Sequence, residues 1–256
     1  MIAAIPLHLS RRAAALHASL ERNLPFIMAG WMVLALVAGM LRVTIAPVGS
    51  GGADIGTIAP YVLMMAAPLV SMALAMHWFR DGSSLPQPDL RFARLGKWRS
   101  VGADEARTHK LYGTTGIMVS LLIGMLMNVP VRAAEYLVAI PAVLADVPQW
   151  LSTLHFLMTL DVVLMPSLYV IAFVAALKRV PLFPRLLATI WLTDITMQLV
   201  IADRVSNTDL PPEVASSLMM LLDGNMKKVM ISVCLWAPYL LFSKRVNVTF
   251  RHRVAA

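Results

Sequence analysis

The sequence predicts an all-α fold, a polytopic membrane bundle of six transmembrane helices with both termini in the cytoplasm. Three observations carry this. Of 256 residues, 59% are hydrophobic and only 14% charged, and the mean hydropathy is +0.72; a soluble domain of this size needs a polar shell that such a composition lacks. The apolar residues gather into runs of about 18 or more, the length a bilayer core demands. The basic residues fall in alternate flanks of those runs.

The first run, 26–45, follows a basic segment (1–25) in which residues 9–20 read as a short amphipathic cytoplasmic helix. The pair resembles an export signal, but the run is too long, and Pro47 follows Ala46 where cleavage would fall, so a retained helix is expected. The other runs are 58–79, 112–129, 150–177, 182–201 and 226–242. At about 1.5 Å per residue each reaches across a core of roughly 30 Å, the third only just. Two outer segments are too short to span. Residues 130–148 are interrupted by Pro141 and are expected at the interface or folded back against the bundle, and 211–225 read as a short helix ending in a turn at Asp223-Gly224-Asn225.

The formal charge is +8, which in a soluble chain raises the question of nucleic acid; here orientation accounts for it and no nucleic-acid partner is expected. Arg11, Arg12 and Arg22, then the seven basic residues from Arg80 to Lys110, then Lys178, Arg179 and Arg185, then Lys244, Arg245, Arg251 and Arg253, make 17 of the 22 Lys and Arg. All occupy one set of flanks. The positive-inside rule makes that side cytoplasmic and leaves Arg132, Arg204, Lys227 and Lys228 outside, with Arg42 just within the first run. Within the basic loop 80–111, the run RFARLGKWR places Phe92 and Trp98 where they could enter the interface beside anionic head groups, although a solvated loop has the same composition.

Cys234 is the only cysteine, so there is no internal disulfide and no thiolate metal site. The six histidines form no metal-ligand pair, and His77 and His155 lie at opposite ends of their spans, so neither metal nor haem is expected, nor any other cofactor. No G-x-S-x-G, P-loop or dinucleotide fingerprint supports an enzyme.

Two acids need explanation, because a carboxylate in the hydrocarbon region costs about 2.5–3.5 kcal/mol on insertion scales. Asp161 and Asp194 fall on consecutive antiparallel spans in the same half of the bilayer. Two carboxylates so close do not both remain ionised without a cation; Arg42, near the outer end of the first run, can reach inward as the counter-ion or snorkel to the interface instead. His155, Thr159, Thr193, Thr196 and Gln198 complete the expected site, with Gln198 one turn from Asp194 and Pro166 bending the helix beside Asp161. Such a cluster is either a proton-linked or substrate site, or a hydrogen-bonded clamp between helices.

The last span and its exit read CLWAPYLLFSKRVNVTF. Trp236, Pro238, Tyr239, Ser243, Lys244, Arg245, Val246, Thr249 and Phe250 resemble the C-terminal signature W-x-P-Y, S-K-R-V, T-F of a bacterial membrane family catalogued as domain of unknown function 2569. Leu177-Lys178-Arg179 and Phe183-Pro184-Arg185-Leu186 are similar to that family's basic turn and the start of its third helix. The resemblance implies a four-helix membrane domain over 112–250, a two-helix addition over 26–79, a cytoplasmic tail at 251–256 and a bacterial inner-membrane location. It supplies no activity. Read physically, Trp236 and Tyr239 are interfacial aromatics, Pro238 bends the helix end, and Lys244 with Arg245 anchors it to head groups. The expected function is a non-catalytic accessory or assembly role in contact with the bilayer and a protein partner in the inner membrane. The alternatives are a small proton-linked permease using Asp161 and Asp194, then a membrane enzyme.

Overall fold

A computed structural model describes the backbone of residues 4–45, 47–50, 52–88, 96–144 and 146–256, with side chains from residue 13 onwards except 14. Phe92, most of the 91–99 run, Arg11, Arg12 and the apolar-polar pattern of 9–12 lie outside the described side chains. The molecule is an all-α bundle. Its long helices are α1 (Ala4–Ile45), α2 (Ile55–Trp78), α4 (Ile117–Ala139), α5 (Gln149–Leu177), α6 (Phe183–Ser206) and α7 (Pro212–Phe242), with short helices α3 (Ala103–Thr108) and α8 (Lys244–Arg251). Among the described residues five of these are long and apolar enough to cross a membrane, and α7 with α8, bent by 72° at Ser243, counts as a sixth when the bent pair is taken as one span.

The outer surface is inverted relative to a soluble protein. Val33, Leu34 and Val37 on α1, Val62 and Val70 on α2, Leu192 and Leu199 on α6, and Ile231 and Leu235 on α7 are all exposed. Lipid is the solvent such faces fit. Inside, α5 is the axis: it packs against α2, α4 and α6, and α7 packs on α6. From Ala172 to Leu177 every residue of α5 is buried. The two N-terminal helices are thus part of the same bundle as the four that follow.

Three expectations about boundaries are corrected. Residues 9–20 and the first span form one continuous helix through Pro25. α4 runs through Pro130 to Ala139, so the third span does not end at Val129 and residues 130–139 do not lie flat as an interfacial segment. α7 passes through Gly224 without a turn, so 211–225 and the last span are one helix. Helix breakers are tolerated at membrane depth when neighbours satisfy the freed groups.

Among the described residues, two strand pairs of two or three residues each stitch the loops and define the ends. At one end β1 (Pro47–Val48) pairs in parallel with β3 (Ala142–Val143), in register Pro47 to Ala142. Beside them Asp54 caps α2 by accepting from the Thr57 amide at 2.9 Å. The Thr57 amide and hydroxyl, in that order, hold the Asp54 carboxyl below its ordinary value of 3.8. The cap's contribution is therefore complete above that value and lost as pH falls through the lower folded one. Asp54→Ala should lower the thermal midpoint at pH 7, and the difference from wild type should shrink on acidification below about pH 4.

At the other end β2 (Trp98–Ser100) pairs antiparallel with β4 (Arg253–Ala255), with Trp98 opposite Ala255. Trp98 is thus engaged in the protein's own sheet. Gly82, in a single 3₁₀ turn, backs onto the α5–α6 turn so closely that a Cβ would sit 2.7 Å from Val180 Cγ2 and 2.8 Å from the Lys178 carbonyl oxygen. Gly82→Ala should cost about 1–3 kcal/mol by overpacking, read as a lowered melting midpoint. His17 and Thr114 share a hydrogen bond at 2.6 Å, which brings α1 to this same end. The basic flanks therefore do gather at one end of the bundle.

Candidate functional site

The site grows from one arginine. On α4 the buried positions Met118, Leu121, Leu122, Met125, Val129, Arg132, Ala133 and Tyr136 follow helical spacing, so Arg132 points into the bundle. Its guanidinium forks between two helices. Nη1 donates to both carboxylate oxygens of Asp161 on α5, at 2.9 and 2.7 Å, and Nη2 to both of Asp194 on α6, at 2.5 and 2.6 Å. Planar, always-charged guanidinium is the group whose geometry allows this; a lysine ammonium has no matching fork. Asp194 is fully buried and Asp161 is 4% exposed.

The remaining valences are filled from the bundle. Tyr169 Oη donates to Asp194 at 2.9 Å, and Gln198 Nε2 to Asp161 at 3.1 Å. Asn225 Nδ2 on α7 donates to Gln198 Oε1 at 3.4 Å, and Lys228 Nζ to Asn225 Oδ1 at 3.2 Å. Lys228 then pairs with Glu135, which returns the network to α4. One connected set of polar groups thus ties α4, α5, α6 and α7 into a closed circuit.

Asp161, Asp194 and Gln198 come together as the sequence suggests; the rest of the expected site does not. Arg42 is not the counter-ion: its Nε and Nη2 donate to the Ile140 carbonyl at 3.1 and 3.0 Å, capping the end of α4. Gln198 reaches across to Asp161 rather than along its own helix to Asp194. His155 and Thr159 meet Tyr136 instead of the acids, with Thr159 Oγ1 at 2.8 Å and His155 Nε2 at 3.4 Å from the phenol oxygen. Thr193 and Thr196 donate back to the carbonyls of Thr189 and Leu192. α5 continues through Pro166. Sequence reasoning missed Arg132, Tyr169, Asn225, Lys228 and Glu135. A signal for Arg132 existed in the apolar run after it, AAEYLVAI, which extends the third span beyond Pro130.

A cavity of about 170 Å³ lies between α4 and α7, floored by α5 and α6. Arg132, Glu135, Tyr169, Asn225 and Lys228 border it from the network, together with Asn128, Trp191 and Trp236. Asn128 Oδ1 and Trp191 Nε1 are buried with no protein partner. Polar atoms around a space of this size suit several ordered waters. The two carboxylates themselves do not line it.

The C-terminal signature is a structural knot. Ser243 caps α8, and Arg245 turns inward, its Nη1 donating to Thr115 Oγ1 at 2.8 Å and to the Leu111 carbonyl at 3.2 Å. Arg245 is therefore not a head-group anchor, whereas Lys244 is exposed. Thr249 Oγ1 accepts from the Gly113 amide at 3.0 Å, and the Phe250 ring packs at a tilt of 42° against Phe183 with centroids 4.9 Å apart. Trp236 meets Tyr239 edge-on at 5.9 Å. The order of these residues follows from the partners each must reach.

Fold and site together define a multi-pass membrane-type helix bundle with an ionic clamp in its interior. No known protein family, curated protein or solved structure matches the chain.

Proposed function

We propose that this chain is a non-catalytic accessory or assembly component of a bacterial inner membrane, with both termini cytoplasmic, akin to the family whose C-terminal signature it resembles. The observation that carries the reading is the saturation of Asp161 and Asp194 by Arg132, Tyr169 and Gln198, neither carboxylate lining the cavity that reaches Arg132 and Tyr169. Groups so occupied act as a clamp that sets the register of α4, α5 and α6, with α7 joined through Asn225, and a rigid bundle suits a partner-binding role. The bacterial inner-membrane setting rests on the resemblance and on the positive-inside rule.

A second reading, a proton-linked permease, is favoured by one feature: the hydratable cavity reaches Arg132 and Tyr169, and the Arg132, Asp161 and Asp194 group carries a net formal charge of −1 when all are ionised. Reconstitution into vesicles loaded with a pH-sensitive dye separates the two. The clamp reading expects no flux above protein-free vesicles under an imposed gradient; flux that disappears in Asp161→Asn overturns it. Orientation has its own test. With Cys234 replaced by Ser, single cysteines at Ser50, Ser83 and Ser206 should label from the outside, inside and outside respectively, and outside labelling of Ser83 reverses the topology.

A further inference from the structure

The cavity between α4 and α7 is a slot that opens sideways. α4 packs on α1 and α5, and α7 on α6 and α8, but α4 and α7 do not pack along each other. Lys228 and Glu135 bridge the gap near the end of α4, and Lys228 is steadied there by Asn225 at 3.2 Å. Further back along α4, Gly124 lines the cavity, is exposed, and has nothing within 4 Å of where a Cβ would stand. The slot therefore reaches the outside of the bundle between the exposed side chains of Ile123 and Met127, on a surface that lipid covers.

Two polar groups on its walls are unsatisfied. Trp191 on α6 is 5% exposed and its Nε1–H has no acceptor, while Asn128 Oδ1 on α4 is buried without a donor. Both residues line the slot. Asn128 stands four residues before Arg132, Trp191 stands three before Asp194, and Arg132 bonds Asp194 directly. Each thus lies about one helical turn, roughly 5–6 Å, to the same side of that bond, so the unmet donor and the unmet acceptor share a depth. Groups left so in an apolar setting cost stability that a partner able to answer both restores.

The walls also fix the charge of that partner. Their ionised side chains are already paired, Arg132 with two carboxylates and Lys228 with Glu135. An anionic head finds its one buried guanidinium outnumbered, and a cationic head meets no unpaired carboxylate on the lining. A hydroxyl is the smallest neutral group that donates and accepts at once. Beyond Asn128 and Trp191 the slot runs on between Leu121, Met125, Val229 and the Trp236 ring, which suits hydrocarbon. We propose that the slot binds a neutral lipid with a single free hydroxyl, which donates to Asn128 Oδ1 and accepts from Trp191 Nε1–H, its chain leaving past Gly124. Water shares the head chemistry and lacks the chain. The proposal goes beyond the accessory role, rests only on the chain spanning a membrane, and holds whether the buried acids clamp or transport.

The test uses the full chain in phosphatidylcholine nanodiscs and a hexadecanol that carries a diazirine in mid-chain. Illumination should label α4 near Gly124 and α7 near Val229; excess hexadecanol should suppress that labelling, and excess hexadecane should not. Asn128→Leu and Trp191→Phe each remove one partner of the hydroxyl and should weaken labelling about 3–10-fold. Asn128→Leu also removes an unsatisfied buried group, so its melting midpoint should equal or exceed that of the wild type, whereas loss of a merely structural asparagine would lower it. Should a variant not fold, the competition series on the wild type decides. Suppression by hexadecane as strong as by hexadecanol, labelling spread equally along the exposed face of α1, or unchanged labelling in both variants would each overturn the assignment and leave water as the occupant. Stronger suppression by hexadecanoate would overturn it in favour of an anionic head.

Discussion

Arg132→Met should leave almost no folded protein, whereas Asp161→Asn should be tolerated far better. The asymmetry follows from charge. Removing the guanidinium strips four hydrogen bonds from Asp161 and Asp194 at once and leaves two carboxylates facing each other in a buried site. Breaking a buried ion pair in this way costs about 3–5 kcal/mol, a large part of the 5–15 kcal/mol that typically holds a domain together. Asp161→Asn instead leaves Arg132 and Asp194 as a balanced pair, with an amide still able to accept from Gln198. Combining Arg132→Met with Asp161→Asn and Asp194→Asn removes the unpaired charge and should restore most of the yield. The measurement is monodisperse yield and melting midpoint by fluorescence-detected size exclusion. If Asp161→Asn proves as damaging as Arg132→Met, charge balance is not what holds this site.

Phe250→Ala should be the most damaging single change at the basic end. The ring is 1% exposed and packs on Phe183, which is itself fully buried, so truncation leaves a cavity where α8 docks on the α5–α6 turn. Such truncations cost about 3–5 kcal/mol, while Phe250→Leu, closer in volume, should cost about 1.5 kcal/mol or less. The loss propagates. With α8 loosened, Arg245 and Thr249 release the turn at Leu111–Thr115, and Lys110 should become a site of rapid tryptic cleavage. An unchanged melting midpoint and digestion pattern would mean that α8 is an appendage rather than the knot described above.

Why some of this was legible and some was not comes down to which residues carry their own cost. Asp161 and Asp194 stood out because an acid in an apolar run is expensive wherever it faces, and the expense demands a partner. Arg132 did not stand out, because Pro130 two residues earlier imitates a helix end. In water that imitation is usually accurate; within a bundle the helix continues because the surrounding helices supply the missing interactions. Gly224 misled in the same way. Its backbone stays helical and a Cβ there would meet nothing within 4 Å, so no turn was ever required. Arg42 was a reasonable counter-ion by depth, but depth does not say which way a side chain turns, and the end of α4 offered it a carbonyl.

The signature residues show the same division. Their types suggested anchoring to lipid, and Lys244 fits that, but Arg245, Thr249 and Phe250 are consumed by contacts more than 60 residues away in sequence.

The sequence by itself determined that this chain is a multi-pass helical membrane-type protein, which flanks share an end, and which two acids must be neutralised. Those properties depend on composition and one-dimensional spacing, since transfer free energies add along a helix. Only the tertiary structure decided that Arg132 is the cation, that Tyr169, Gln198 and Asn225 extend its reach to Lys228 and Glu135, and that Asn128 and Trp191 line one cavity. Pairings of that kind depend on helix rotation and on which helices are neighbours, and lipid, which accepts any apolar face equally, leaves both to packing.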